Sequence, residues 1–91
     1  MSTGYDYKST ARWTASHRGI VNGEEVEPSI DFSSPPEFHG QAGLWTPEHF
    51  LVSAVATCFV TTFLAIAELS KLAPRSLEVS AEGTVEKAKV A

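Results

Sequence analysis

Apolar and polar positions alternate along the first third of the chain and then give way to one long apolar run. From Tyr5 to Ala15 the positions Tyr5, Tyr7, Ala11, Trp13 and Ala15 fall on one side, and Asp6, Lys8, Thr10, Arg12 and Thr14 fall on the other. A period of two predicts a half-buried strand. Ser16-His17-Arg18-Gly19 interrupts it, Ile20 and Val21 resume it, and Asn22-Gly23 follows. Asparagine and glycine tolerate the positive φ of a tight hairpin turn, so the turn is predicted there. A second alternating run sets Val26, Ile30 and Phe32 against Glu25, Glu27, Ser29 and Asp31, with Pro28 inside it. Proline has no N–H to give a ladder, which predicts a sheet edge or a bulge. The segment from Ser33 to Trp45 holds two prolines and two glycines without periodicity, the pattern of a surface loop that closes over something.

The character then changes. Thr46 suits a helix N-cap, Pro47 suits the first helical position, and Glu48 puts a negative charge in the first turn, where the helix dipole favours it. From Phe50 to Leu72 there is neither glycine nor proline, Leu51 to Ala67 carries no charge, and Pro74 closes the run. A membrane span is weighed and set aside, because spans take roughly 20 strongly apolar residues and this run is diluted by Ser53, Thr57, Thr61 and Thr62. A helix apolar on nearly every side is instead one covered on nearly every side. A few short strands of the same chain cannot wrap it, so a second copy or a longer parent chain is predicted to do so. Beyond Pro74, Leu77, Val79, Ala81 and Val85 alternate with Glu78, Ser80, Glu82, Thr84 and Glu86, which predicts a further strand running on towards Ala91. The expected class is α+β: an antiparallel sheet of N-terminal strands packed on a long central helix, then another strand, as a single domain over residues 1–91.

Composition narrows the function. With 43% hydrophobic and 20% charged residues the chain is an ordinary globular one. Its net charge of −4 and its scattered lysines and arginines exclude nucleic acid and anionic membrane surfaces as expected partners. The first residues lack a basic stretch followed by an apolar one, so no secretion signal is read and the cytoplasm is the expected compartment. A lone cysteine, Cys58, forbids an internal disulfide. His17, His39 and His49 match no metal-ligand spacing, so no metal or other cofactor is expected. A Cys–His acyl-transfer site lacks a third group to orient the histidine.

Cys58 is therefore the residue to explain. Cysteines on such helices are usually buried and inert; a reactive one needs a cation beside the sulfur and a path for substrate. Arg12 lies on the solvated side of its strand, Arg75 is far along the chain, and Arg18 sits in a tight turn beside Gly19 that can aim a guanidinium. Glu48 serves the helix start, and it can also grip an arginine through paired hydrogen bonds. Phe38, Leu44 and Trp45 precede the helix and either line an apolar pocket or staple the helix start.

The run Trp45-Thr46-Pro47-Glu48-His49-Phe50-Leu51-Val52-Ser53-Ala54-Val55-Ala56-Thr57-Cys58-Phe59 resembles the signature of the OsmC/Ohr family, which has a Pro-Glu pair at the start of its central helix and a peroxide-reactive cysteine ten residues after the glutamate. The segment Ala11-Arg12-Trp13-Thr14-Ala15-Ser16-His17-Arg18-Gly19 is similar to the family's early strand and turn, which places Arg18 where the family has its active-site arginine. The resemblance implies an intertwined homodimer and a thiol peroxidase that reduces organic hydroperoxides. In that reading Cys58 becomes a sulfenic acid, Arg18 stabilises the thiolate and the peroxide oxygens, Glu48 holds Arg18, and an external thiol is the reductant. Family members continue further, with a second cysteine that resolves the sulfenic acid, so the chain reads as an OsmC-like domain lacking the usual C-terminal portion. Two other readings stay open: a non-catalytic binding domain with an unreactive buried cysteine, and a dimerisation unit whose chemistry lies elsewhere.

Overall fold

A computed structural model of the chain describes residues 4–86. In order come β1 (Ser9–Ala15), β2 (Arg18–Gly23), β3 (Ile30–Ser33), a short 3-10 helix (Pro36–Phe38) and α1 (Pro47–Leu69), an α+β arrangement. The chain divides into two compact units, with the boundary between Pro47 and Glu48.

The first unit is a three-stranded antiparallel sheet in the order β1-β2-β3. Register explains the alternation in the sequence. Trp13, Gly19 and Phe32 form one cross-strand row and Ala11, Val21 and Ile30 another on the same face, while Arg12, Ile20 and Asp31 form a row on the opposite face. Gly19 is required in its row: a Cβ there would lie 2.6 Å from Cζ of Phe32 and 2.5 Å from the Arg12 carbonyl oxygen. The apolar face is only partly covered, with Val21, Ile30 and Phe32 half-buried. All of β1 is exposed, Trp13 by 74%, so the expected half-buried strand lacks its cover. β3 is an edge strand, as Pro28 implies, and the proline precedes the strand without entering its ladder.

The hairpin turn lies elsewhere than expected. Ala15 pairs with Arg18 across a two-residue turn, Ser16-His17, whose first residue has φ 53°. The Trp13 indole N–H donates to the Ser16 carbonyl at 2.7 Å and ties the turn to the strand. Asn22 and Gly23 instead extend β2, opposite Thr10 and Ser9. The chain then turns at Glu24-Glu25, where Val26 N donates to Gly23 O at 3.2 Å and Glu25 has φ 63°. Two more ladder pairs outweigh the local turn preference of Asn-Gly.

In the second unit α1 begins at Pro47, directly after the buried Thr46. Thr57 Oγ1 donates to Ser53 O at 2.8 Å and Thr61 Oγ1 to Thr57 O at 3.1 Å. These hydroxyls are satisfied by the helix itself, so the polar residues interrupt its greasy surface less than their number suggests. By length and composition alone the helix is apolar enough to cross a membrane. Its side chains are open: Leu51, Val55, Phe59, Ile66 and Leu69 are exposed by 69, 60, 58, 59 and 86%, and Ala67 is its one buried residue. Within the single chain the helix is thus left largely uncovered, as expected of a chain whose few short strands cannot wrap it.

The helix stops before Pro74. Leu72 N donates to Ala67 O at 2.7 Å and Lys71 N to Glu68 O at 3.1 Å, with Lys71 at φ 59°. This is a Schellman ending with lysine where glycine is usual. A Cβ in the left-handed region costs about 1–2 kcal/mol, so Lys71→Gly raises the unfolding free energy by about 1 kcal/mol, read as a higher midpoint in urea denaturation.

Beyond the helix, Leu77, Val79 and Ala81 are half-buried and Glu78, Ser80 and Glu82 exposed. The alternation of the expected third strand is present, yet no strand is formed over residues 73–86. A strand needs a neighbour to take its backbone hydrogen bonds, and the described residues supply none. The end of that run, from residue 87, lies outside the described residues.

Candidate functional site

Cys58 lies near the middle of α1 and is exposed. Helical geometry sets it beside residues three, four and seven positions away: Leu51 and Val55 flank it on one side, and Ala54, Thr61 and Ala65 on the other. Bulky neighbours on one side and small ones on the other leave the sulfur approachable. Its sulfur makes a weak contact with Thr62 Oγ1 at 3.9 Å, a hydroxyl one turn along the helix. Burial, the usual reason for an inert cysteine, does not hold for this thiol within the chain.

Glu48 sits in the first turn of the same helix, ten residues earlier. At 1.5 Å per residue that is about 15 Å along the axis, so the carboxylate and the sulfur of one helix do not touch. Glu48 is half-buried, and its Oε1 is shielded from solvent with no hydrogen-bond partner. A shielded carboxylate oxygen without a donor is costly and calls for an explanation. Around it, the first turns of α1 and residues 81–85 enclose a mainly apolar groove of about 330 Å³.

Arg18 opens β2 in the first unit, directly after the hairpin turn. There it lines a hollow of about 370 Å³ with Ser16, His17, His39, Gly40 and Gln41. The sequence places His17 in a turn and His39 in a distant loop, and nothing in their spacing joins them. The structure brings their ring centroids to 6.1 Å. The loop folds back because Ser34 N donates to His17 O at 3.1 Å and Gln41 N to the buried Ser33 Oγ at 2.8 Å. Gly40 is the legible signal in hindsight, for a Cβ at that position would overlap the Ser34 carbonyl. Gly40→Ala forces backbone to move and lowers stability by about 1–3 kcal/mol, measurable as a fall in the thermal midpoint. Among the described residues no three histidine, cysteine or acidic side chains gather as a metal site.

The residues singled out for chemistry therefore fall into two sets, Arg18 with His17 and His39 on the sheet unit and Glu48 with His49 and Cys58 on the helix unit. A family described as OsmC-like protein matches residues 40–91, the segment that carries Glu48 and Cys58. The chain is 29% identical over 75 residues to the uncharacterized protein YmaD of Bacillus subtilis (strain 168), covering 82% of this chain and 50% of YmaD. It thus spans about half the length of that curated relative. No solved structure matches it.

Proposed function

The chain belongs to the OsmC-like protein family, and we propose that it is a thiol-dependent peroxidase acting on organic hydroperoxides through Cys58. The observation that carries this reading is the placement of its one cysteine, exposed on α1 ten residues after Glu48. The thiolate sulfur attacks the distal oxygen of the hydroperoxide. An S–O bond forms, the O–O bond breaks, and the alkoxide leaves and takes a proton as the alcohol. Sulfur has given up two electrons and stands as the sulfenic acid. A thiol from outside these residues condenses with it, releasing water and leaving a mixed disulfide. A second thiol then attacks that disulfide and returns Cys58 to its reduced form.

Arg18 is assigned to the thiolate and to the negative charge that develops on the peroxide oxygens, a preorganised electrostatic role. Glu48 is assigned to holding the guanidinium, and its unpartnered, shielded Oε1 supports that assignment because it lacks the donor an arginine provides. Leu51, Val55 and Phe59 beside the sulfur favour an organic over an inorganic peroxide. The exposed apolar surface of α1 supports a homodimer. A cytoplasmic setting, where reducing thiols are plentiful, suits the cycle.

The test is chemical trapping. After one equivalent of cumene hydroperoxide, dimedone labels the native protein once, and mass spectrometry of peptides places the label on Cys58. Cys58→Ser takes no label. A folded protein whose thiol survives the peroxide unchanged would end this reading and leave a non-catalytic domain in its place.

A further inference from the structure

The hollow beside Arg18 has features of its own. One wall is the hairpin turn, where Ser16 is held at φ 53°; the other is the end of the 3-10 helix, where His39 is held at φ 69°. Side chains other than glycine adopt positive φ infrequently, and such positions gather at functional sites. The walls are fixed to each other within one unit. Ser34 N bonds to His17 O, Gly40 N bonds to Pro35 O at 3.0 Å, and the buried Ser33 hydroxyl holds Gln41 N. Arg18, Gln41 and two histidines whose ring centroids are 6.1 Å apart are among the residues that line it, and no acidic residue is. In a chain of net charge −4, a hollow offering so many N–H donors and no acidic group is a local reversal of sign.

We propose that this hollow binds a small oxyanion, a carboxylate or phosphate, with the Arg18 guanidinium as its main anchor and His17 and His39 as flanking donors. A planar guanidinium meets two oxygens of either group at once. The imidazoles add N–H donors from both walls, and Gln41 can donate through its amide. The side chains remain open to water, so binding is screened by salt and affinity on the order of millimolar is expected. The proposal needs neither a hydroperoxide nor the thiol. Because the same guanidinium is assigned to Cys58 above, the test uses Cys58→Ser protein, and its result is independent of the peroxidase reading.

The imidazole signals of His17 and His39 are followed by NMR during separate titrations with inorganic phosphate and with acetate at constant ionic strength, chloride serving as the control. At least one oxyanion produces a saturable shift of both rings that chloride does not reproduce, and the stronger of the two tells whether phosphate or carboxylate is preferred. Arg18→Gln weakens that binding at least tenfold, and Arg18→Lys retains part of it. Linear shifts identical to those from chloride would overturn the proposal. So would undiminished binding in Arg18→Gln with an otherwise native spectrum.

Discussion

Ile66→Asp is expected to turn a dimer into a monomer. Ile66 is 59% exposed in the single chain and lies two turns beyond Cys58, in line with Val55 and Phe59 on the open apolar side of α1. Such a surface left in water invites association, since each fully covered large apolar side chain contributes about 1.5–3 kcal/mol. An aspartate in the middle of that contact must be desolvated without a partner. The effect expected is a loss of about 3–5 kcal/mol in association, roughly a thousandfold in dissociation constant. Sedimentation velocity without detergent reads it directly: the native chain runs as a dimer at micromolar concentration and Ile66→Asp as a folded monomer. A native chain that stays monomeric at every concentration would remove the reason for a homodimer. If it stays in solution only with detergent, α1 is a membrane span instead, as its length and composition allow.

The elements set by local rules were legible. Pro47 and Glu48 mark the start of α1, and the uncharged stretch gives its body, because helix starts and apolar runs are properties of neighbouring residues. The first strand, expected from Tyr5 to Ala15, was legible from alternation for the same reason, although it begins only at Ser9. The hairpin turn was not. Asn22-Gly23 has the strongest local preference, but Ser16-His17 closes the turn because the Trp13 indole bonds to Ser16 O and the ladder continues through Gly23. The ladder pairs Ser9 with Gly23 and Thr10 with Asn22, contacts between residues too far apart for a local turn preference to weigh. The strand after Pro74 shows the opposite case: Leu77, Val79 and Ala81 keep their alternation, yet pairing depends on a neighbour. For the site, Cys58 and Glu48 were found from one motif on one helix. The meeting of His17 and His39 was hidden, since it depends on a loop pinned by the Ser33 hydroxyl and by the lack of a Cβ at Gly40.

Arg18→Ala is expected to slow the oxidation of Cys58 by cumene hydroperoxide by about 10²–10³, the usual cost of removing one preorganised donor to developing negative charge. Arg18 is exposed, so the variant is expected to fold. Arg18→Lys restores part of the rate, because a point charge helps the sulfur but cannot span two peroxide oxygens as a planar fork does. Glu48→Gln removes the acceptor's charge while keeping its shape; it slows the reaction less than Arg18→Ala and adds little on top of it, as expected of a residue that acts through the guanidinium. A second electrophile separates the two tasks of Arg18. Iodoacetamide reports how readily the thiolate forms and makes no demand for charge on a leaving oxygen. An arginine that stabilises only the thiolate slows alkylation and peroxide oxidation equally. One that also holds the peroxide slows oxidation by a clearly larger factor, which is the result expected here. Equal, native rates in Arg18→Ala for both reagents would detach this guanidinium from the thiol and leave the turn of the sheet to the oxyanion alone.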